Sequence, residues 1–340
     1  MSKGYSVAIL GATGLVGETL ISILEERNFP VSRFIPLASE RSVGKSVRFR
    51  GESYPVQDVA GFDFKGVQIG LFSAGASVSA VQGPRAGAAG CVVIDNTSKF
   101  RYDADIPLVV PEVNPAAIAG YRARNIIANP NCSTIQMVVA LKPIYDAAGI
   151  TRINVATYQS VSGAGRRSMD MLTRQAGQSL AGQQVQTDGA ARPIAFNAVP
   201  HIDEFQPNGY TKEEMKMVWE TRKILGDDSI QVNPTAVRVP VFLGHSEAVH
   251  VETREKISAG RVRELLSQAP GVTVLDEARL GGYPTAVTEA AHRDNVFVGR
   301  IREDISCERG IDLWVVADNI RKGAALNSIQ IAEILVREYF

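Results

Sequence analysis

The stretch Tyr5–Gly17, YSVAILGATGLVG, decides the fold of the N-terminal part of this chain. The apolar run Tyr5–Leu10 predicts a buried strand, and the apolar residues of Leu15–Glu26 recur at helical spacing. Gly11 and Gly14 lie between these runs and Gly17 lies in the first turn of the helix, where they permit a tight turn and let backbone N–H groups approach a phosphate at the helix N-terminus. A strand, a glycine turn and a helix in this order are typical of a dinucleotide-binding domain, with a purely structural turn as the alternative.

The segment after the second predicted strand bears on the choice between NAD and NADP. This strand runs into ASERS at positions 38–42. An acidic residue here often binds the ribose 2′-hydroxyl of NAD, whereas an arginine fork suits the 2′-phosphate of NADP. Ser39, Arg41 and Ser42 favour NADP, and Glu40 opposes it if its side chain turns inward. We therefore predict NADP as the cofactor.

The predicted elements change in kind near Asn131. Before it, short apolar runs alternate with helices, which predicts a parallel sheet covered on both faces. After it, longer segments rich in β-branched residues predict a largely antiparallel sheet with one covered face. The other predicted strands are Phe34–Leu37, Val67–Phe72, Val92–Asp95, Asn125–Ala128, Arg152–Val161, Ala236–Phe242, Glu247–Glu252, Asn295–Arg302 and Ile311–Ala317. The other predicted helices are Ser133–Ala147, Arg166–Ala181, Thr211–Leu225, Ser258–Ser267 and Lys322–Tyr339, the last of which is expected to pack on the first domain.

Composition argues against several classes of protein. The 340 residues carry 36 Lys and Arg against 36 Asp and Glu, and this zero net charge argues against nucleic acid or an anionic membrane as the partner. No apolar run approaches the roughly 18–20 residues that cross a bilayer, and we expect no N-terminal targeting segment. Three scattered cysteines argue against a disulfide framework and a metal site, and they predict a reducing, cytoplasmic compartment.

One cysteine lies in a polar, turn-forming segment. Cys132 follows Asn129-Pro130-Asn131 and precedes Ser133, so we expect it at the N-terminus of a helix. The partial positive charge at that position lowers the pKa of a thiol and favours the nucleophilic thiolate. The alternative is a buried thiol that packs as a small apolar group, and Cys91 fits that alternative well.

A nucleophilic thiol needs a proton partner, usually a histidine. The four histidines are His201, His245, His250 and His292. His245 lies in a short polar break between two predicted strands and is modestly favoured. A protonated His245 is expected to hold the thiolate and later to donate a proton. His250 alternates with valines and is expected on a strand face.

Seven motifs follow one another along nearly the whole chain. They are GATGLVG at 11–17, NTSKFR at 96–101, NPNCST at 129–134, YQSVSGAG at 158–165, EEMK at 213–216, Arg238 followed by His245-Ser246, and DNIRKGAA at 318–325. In this combination and order the chain resembles the aspartate-β-semialdehyde dehydrogenase family.

The resemblance implies a fold, an activity and a quaternary structure. The fold is α/β, with an N-terminal Rossmann-like dinucleotide-binding domain (1–131 with 323–340) and an α+β catalytic and dimerisation domain (132–322) with a mixed, largely antiparallel sheet. The activity is NADP-dependent reduction of L-aspartyl-4-phosphate to L-aspartate 4-semialdehyde through a cysteine thioester, with release of inorganic phosphate. This step serves lysine (through diaminopimelate), methionine, threonine and isoleucine biosynthesis. A homodimer is expected, with a homotetramer as the alternative.

The resemblance also assigns roles to individual residues. The matched catalytic residues are Cys132 (nucleophile), His245 (acid and base) and Gln159 (orientation of the acyl group). The matched substrate-binding residues are Arg238 (carboxylate), Arg101 and Lys216 (phosphate) and Glu213 (amino group, with Glu214 as the alternative). The residues expected at the NADP(H) site are Gly11, Thr13, Gly14, Leu15, Val16, Gly17, Ser39, Arg41, Ser42, Ser73, Gly75, Ser162, Gly163 and Asn319.

Two other functions remain open. N-acetyl-γ-glutamyl-phosphate reductase shares the chemistry, but glycine usually precedes its cysteine, and Asn131 stands there in this chain. A non-catalytic NADP-binding paralogue is the second alternative, and the presence of Cys132 weighs against it.

Overall fold

The computed structural model describes residues 4–340, which form fourteen strands and seven α-helices. The strands are β1 (Tyr5–Leu10), β2 (Val31–Ala38), β3 (Ser46–Phe49), β4 (Glu52–Pro55), β5 (Gln57–Asp58), β6 (Ile69–Phe72), β7 (Val92–Asp95), β8 (Ile126–Ala128), β9 (Ile150–Gln159), β10 (Gln231–Arg238), β11 (His245–Thr253), β12 (Val272–Val274), β13 (Val296–Glu303) and β14 (Gly310–Ala317). The helices are α1 (Leu15–Glu26), α2 (Ala76–Ala88), α3 (Cys132–Ala148), α4 (Arg166–Leu180), α5 (Lys212–Leu225), α6 (Ala259–Gln268) and α7 (Leu326–Glu338). Short 3₁₀ segments lie at Glu40–Ser42, Pro115–Ala123 and Val161–Ala164, and π-helical turns at Ala286–Ala290 and Arg321–Ala325.

The chain divides into two compact units. The first runs through Asn131 and resumes over Ala324–Phe340, and the second is Cys132–Gly323. None of the helices described within residues 4–340 combines the length and the apolar character that crossing a bilayer requires.

The first unit contains a six-stranded parallel sheet in the order β5-β2-β1-β6-β7-β8. The chain adds β2 on one side of β1 and β6 on the other, so the direction of winding changes at β1. In open parallel sheets, ligands bind beyond the carboxyl ends of the strands at such a switch point. The parallel sheet predicted for this part of the chain is confirmed.

The last helix, α7, completes the core of the first unit, as predicted. Leu326, Ile329 and Leu335 are fully buried in the same apolar cluster as β1 and α1. The Asn327 amide donates to the carbonyl of Val109 at 3.0 Å, which ties the helix to the backbone of this unit.

The second unit contains a six-stranded mixed sheet in the order β10-β9-β11-β14-β13-β12. Its three central pairs are antiparallel and its two outer pairs are parallel, in agreement with the predicted largely antiparallel sheet. Helix α3 packs against β9, β11 and β14, and α5 packs against β10. On the opposite face Tyr158 is 38% exposed, and Trp314 is half-buried.

Sequence patterns missed or misplaced several elements. Helix α2 was not predicted because Gly83, Pro84 and Gly87 are poor helix formers. Gly87 is there for packing, since a Cβ on it would lie 2.5 Å from the carbonyl oxygen of Arg124. The strand predicted at Ala236–Phe242 was wrong in position, because β10 ends at Arg238 and includes Pro234. Pro234 is tolerated because β10 is an edge strand.

Replacing Ile329 with alanine tests the contribution of α7 to the first unit. Ile329 is fully buried, so we expect Ile329→Ala to lower the free energy of unfolding by about 2–5 kcal/mol. Urea unfolding followed by circular dichroism measures the change. The matched control is Ile305→Ala at a fully exposed isoleucine, with an expected change within about 0.5 kcal/mol. Equal effects of the two substitutions would contradict the assignment of α7 to the core.

Candidate active site

The register of the second sheet gathers functional side chains at one edge. Gln159 and Arg238 are paired residues at the ends of the parallel strands β9 and β10. β11 runs in the opposite direction and begins at His245, which pairs with Ala317 near the end of β14. Asn319 lies two residues after the end of β14. Four predicted site residues therefore lie at the same end of the sheet because of strand direction.

Cys132 is the first residue of α3, in agreement with its predicted place at a helix N-terminus. It is half-buried and not disulfide-bonded. A Cβ on Gly323 would lie 2.8 Å from the Cys132 Cβ, so glycine at position 323 leaves room for the thiol-bearing residue. Cys91, by contrast, is fully buried, and burial raises the pKa of its thiol to about 12.

Gln159 connects the start of α3 to α5. Its amide nitrogen donates to Ser133 Oγ at 2.7 Å and to Glu213 Oε1 at 3.2 Å. Glu213 also forms an ion pair with Lys216 at 2.8 Å, and Lys216 contacts Asp203 at 2.7 Å. The Glu213 and Asp203 carboxylates surround the Lys216 ammonium, and the Gln159 amide joins this polar cluster through Glu213.

Lys216 remains a cation despite its burial. Burial lowers its pKa, but the charge of Glu213 and the hydrogen bonds to Asp203 and Glu213 outweigh burial, so the pKa lies above its usual value. A phosphate group at Lys216 would therefore meet a fixed positive charge that is already oriented by two carboxylates.

The structure separates the two neighbouring glutamates that the sequence left as alternatives. Glu214 forms a capping box with Thr211 at the start of α5. Its other oxygen accepts from the Ala236 amide at 2.9 Å, so both oxygens serve the fold. Glu213 faces Gln159 and Lys216 instead. Of the two, Glu213 has the geometry of a binding residue.

His245 is a neutral imidazole in this site. The backbone amide of Ser160 donates to His245 Nδ1 at 3.1 Å, so Nδ1 accepts and the proton resides on Nε2. Burial, together with the positive charge of Arg238, lowers the pKa of His245 to about 3. The sequence-based expectation of a protonated His245 is therefore wrong for the free protein, because an imidazolium would be fully desolvated and would confront an N–H donor.

The other ring nitrogen of His245 is oriented for donation. Nε2 is buried and has no hydrogen-bond partner among residues 4–340. A Cβ on Gly163 would lie 3.4 Å from Nε2 and 3.2 Å from Arg238 Nη1, so glycine at this position keeps the space beside both groups open. A buried Nε2–H that has no partner among the described residues can donate to a bound group.

Arg238 lies close enough to Cys132 for the two side chains to interact electrostatically. Burial lowers the pKa of Arg238, and the negative charges that Glu213 and Cys132 carry when ionised oppose that effect. The attraction is mutual, so the guanidinium also stabilises a thiolate. Its Nη1 donates to the Ser160 carbonyl at 2.7 Å, which fixes the orientation of the fork.

Ser160 and Asn319 hold this edge together. Asn319 Oδ1 accepts from Ser160 Oγ at 3.0 Å and from the Gly244 amide at 3.0 Å, and its amide nitrogen donates to Ser162 Oγ at 3.0 Å. Sequence reasoning missed Ser160, although its place directly after Gln159 in YQSVSGAG is a signal. Ser162 and Asn319 thus hydrogen-bond each other, and the predicted cofactor contacts of Ser162, Gly163 and Asn319 stay predictions.

The glycine turn of the first unit fits a dinucleotide. Gly11 has a φ of 91°, and a Cβ on Gly17 would lie 2.1 Å from the Gly11 carbonyl oxygen, so only glycine lets α1 pack so close to the turn. Gly14 is the N-cap of α1 and supplies no capping side chain. The first N–H groups of the helix are then suited to a pyrophosphate. Thr13, Leu15 and Val16 complete the turn.

The other predicted cofactor residues of the first unit lie around this turn. Thr13 Oγ1 is 3.2 Å from Ser42 Oγ, which places the segment 38–42 beside the glycine turn. Ser39 and Arg41 are exposed there. A Cβ on Gly11 would lie 2.8 Å from Ser73 Oγ, and Gly75 has a φ of 95° at the start of α2. These residues surround the end of β1, where the sheet changes its direction of winding.

Arg101 is buried in the first unit. Its Nη2 donates to the Asn96 carbonyl at 2.8 Å. Its charge opposes the desolvation that raises the pKa of Asp95. Its predicted role at the substrate phosphate stays a prediction.

Comparison with known proteins covers almost the whole chain. Residues 6–121 match the family model of the semialdehyde dehydrogenase NAD binding domain, and residues 141–322 match that of the semialdehyde dehydrogenase dimerisation domain. The aspartate-semialdehyde dehydrogenase of Legionella pneumophila is 62% identical over 339 residues, which cover 100% of this chain and 98% of the relative.

Solved structures give the same result. The crystal structure of aspartate semialdehyde dehydrogenase II of Vibrio cholerae complexed with ASA has a TM-score of 0.97 and 61% identity, and covers 100% of both chains. The aspartate semialdehyde dehydrogenase of Candida albicans with NADP has a TM-score of 0.76 at 26% identity, and covers 98% of this chain and 99% of that one.

The protonation state of His245 can be measured directly. With its pKa lowered to about 3, we expect the ring to remain neutral at pH 5 with the proton on Nε2. ¹⁵N chemical shifts of the labelled histidine rings, assigned with a His245→Gln variant, report both the charge and the tautomer. A ring that titrates near its usual pKa in the folded protein would contradict this expectation.

The same shift predicts a dependence of stability on pH. In the unfolded chain His245 has a pKa near 6.5. Below about pH 6.5 the ring is therefore protonated in the unfolded state but still neutral in the folded state. Its contribution to stability is therefore lost as the pH falls from about 6.5 toward 3. The free energy of unfolding of the His245→Gln variant, measured by urea unfolding, should depend less on pH in this window than that of the wild type.

Proposed function

Because the chain belongs to the aspartate-semialdehyde dehydrogenase family, we propose that it reduces L-aspartyl-4-phosphate to L-aspartate 4-semialdehyde with NADPH and releases inorganic phosphate. The observation that carries this proposal is the placement of Cys132 at the N-terminus of α3 with the Arg238 guanidinium acting on it. A thiol in such surroundings is suited to attack an acyl phosphate.

Cys132 divides the reaction into two easier steps. Its sulfur attacks the acyl carbon and phosphate leaves, which forms a thioester on the protein. When bound, NADPH supplies the hydride that reduces this thioester. Backbone N–H groups at the start of α3 are suited to stabilise the tetrahedral oxyanion of each step, and one such donor is typically worth about 2.7–4 kcal/mol.

His245 and Gln159 serve the reacting carbonyl group. The Nε2–H of the neutral imidazole is suited to donate a hydrogen bond to the oxyanion of each tetrahedral intermediate; after hydride addition that intermediate breaks its C–S bond, which releases the aldehyde and the Cys132 thiolate. Gln159 is held by Ser133 beside the nucleophile, which suits it to orient the acyl group.

The remaining charged groups match the charges of the substrate. The Arg238 fork suits the α-carboxylate, and Glu213 suits the α-ammonium. Lys216 is proposed for the phosphate, as is Arg101 of the first unit. The support for Glu213 is that Glu214 is occupied by the cap of α5 and by the Ala236 amide.

NADP is the proposed cofactor, and biosynthesis of lysine, methionine, threonine and isoleucine is the proposed context, in the cytoplasm. The exposed Arg41 beside the glycine turn supports a 2′-phosphate. A homodimer is proposed, with a homotetramer as the alternative. The sheet face that exposes Tyr158 and half-exposes Trp314 supports a protein interface, since aromatic side chains are enriched at interfaces.

The direct test is the reverse reaction. The purified protein should form NADPH, measured by absorbance, from L-aspartate 4-semialdehyde, NADP and inorganic phosphate. N-acetylglutamate 5-semialdehyde should give a much lower kcat/KM. A higher value with this second aldehyde would assign the protein to the related reductases, and NADP binding without turnover would assign it to the non-catalytic paralogues.

Cysteine variants test the nucleophile in the same assay. Cys132→Ser should reduce kcat by at least about 10³-fold, because a hydroxyl cannot replace the thiolate, while the Kd for NADPH stays the same. The matched control is Cys307→Ser, a half-buried free cysteine outside the site, which should keep wild-type activity. Near-wild-type turnover of Cys132→Ser would rule out the thioester.

A variant of Arg41 tests the preference for NADP. Arg41→Ala should raise the KM for NADP about tenfold or more and leave the KM for NAD within about twofold, because only NADP carries the 2′-phosphate. Steady-state kinetics with both cofactors measures the two values. Equal increases in both would place Arg41 away from the 2′-phosphate.

A further inference from the structure

Glu247 is a buried carboxyl group that the proposed chemistry does not use. It lies on β11 two residues after His245, so both side chains point to the same face of the sheet. This face is the one against which α3 packs. The Glu247 side chain is fully buried, with Thr157 and Val315 as its neighbours across the two flanking strands.

The surroundings of Glu247 favour the neutral acid. Neither carboxyl oxygen has a hydrogen-bond partner among residues 4–340. Burial raises the pKa of Glu247 well above its usual value, and the opposing influence of the Gln136 side chain is smaller. Burial without a hydrogen-bond partner favours the protonated form, in which the carboxyl group has one O–H to donate.

Gln136, on α3, has a buried amide oxygen that could accept such an O–H. Its amide nitrogen donates to the backbone carbonyl of His245 at 3.4 Å, whereas its amide oxygen is buried and has no partner among the described residues. The Gln136 side chain also opposes the rise in the pKa of the Glu247 carboxyl group, so the two side chains lie close together. The protonated Glu247 carboxyl group thus lacks an acceptor for its O–H, and the Gln136 amide lacks a donor for its oxygen.

We propose that Glu247 is a positioning residue for His245: as a neutral acid it donates to Gln136 Oε1 and so keeps Gln136 Nε2 directed at the His245 carbonyl. The Gln136 amide can rotate to direct either Oε1 or Nε2 toward the His245 carbonyl. A hydrogen bond from the Glu247 O–H to Oε1 keeps Nε2 in position to donate to that carbonyl, at the start of β11. An ionised Glu247 would instead compete for Nε2. The catalytic consequence rests on the proposed function, since His245 acts there as the hydrogen-bond donor to the oxyanion.

The effect on the imidazole passes through the backbone. The Ser160 amide donates to His245 Nδ1, and this hydrogen bond sets the tautomer that leaves Nε2–H for the substrate. A shift of the backbone at His245 would lengthen this bond and misdirect Nε2. Loss of the Glu247 proton donor should therefore lower kcat and leave substrate binding, which relies on Arg238 and Glu213, nearly unchanged.

Kinetics of four variants test the proposal. Glu247→Leu and Gln136→Leu should each lower kcat by about tenfold with KM for the semialdehyde within about twofold. Glu247→Gln should restore near-wild-type kcat, because its amide N–H can donate to Gln136 Oε1. The matched control is Thr157→Val, an equally buried polar neighbour on the same face, which should keep kcat within about twofold.

A double variant tests whether the two residues act as one unit. Glu247→Leu combined with Gln136→Leu should lower kcat no further than either change alone, since both remove the same link. Multiplied effects would overturn the proposal. So would a wild-type kcat in Glu247→Leu, or a Glu247→Gln variant as slow as Glu247→Leu.

Infrared difference spectroscopy gives a readout that does not depend on catalysis. The wild-type spectrum minus that of Glu247→Gln at pH 7 should show the C=O stretching band of a protonated carboxyl group. A carboxylate band in its place would overturn the proposal even where Glu247→Leu fails to fold. If the wild type showed the band but did not oxidise the semialdehyde, the proposed function would fail and the proton on Glu247 would stand.

Discussion

The strand register of the second sheet is the constraint on which the candidate active site depends. Gln159 and Arg238 are a paired couple on two parallel strands, and His245 begins the antiparallel strand beside them. A slip of one residue in this register would turn each side chain to the other face. The apolar positions that alternate along β9 and β11 hold the register, because the same slip would expose Ile153, Val155 and Val249.

In this arrangement the binding side chains keep their charges although they are partly buried. Arg238 is buried at an energetic cost, and the charges of Glu213 and the Cys132 thiolate compensate for part of it. Lys216 is held by two carboxylates. His245 is the exception, since burial, the nearby Arg238 guanidinium and the hydrogen bond from the Ser160 amide keep it neutral. Fixed charges at binding groups and a neutral donor at the reacting atom suit a reaction in which negative charge develops on a carbonyl oxygen.

The first unit meets a different requirement, the close approach of backbone to a pyrophosphate. Gly17 packs against the Gly11 carbonyl at a distance that no side chain would permit. Thr13 Oγ1 lies 3.2 Å from Ser42 Oγ, so the turn and the segment after β2 form one surface. A buried core shared with α7 keeps this surface in place, although α7 is the last helix in the sequence.

The sequence by itself determined β1, the glycine turn and α1 to the residue, because apolar periodicity and glycine spacing are local properties. It also indicated a helix N-terminus at Cys132, since the turn before it is local as well. It did not show helix α2, whose glycines serve contacts with distant backbone, or the edge position that admits Pro234 in β10. Only the tertiary structure distinguished Glu213 from Glu214, made Ser160 the partner of His245 and left that imidazole neutral. These properties depend on burial and on groups separated by up to 85 positions in the chain, which no local pattern encodes.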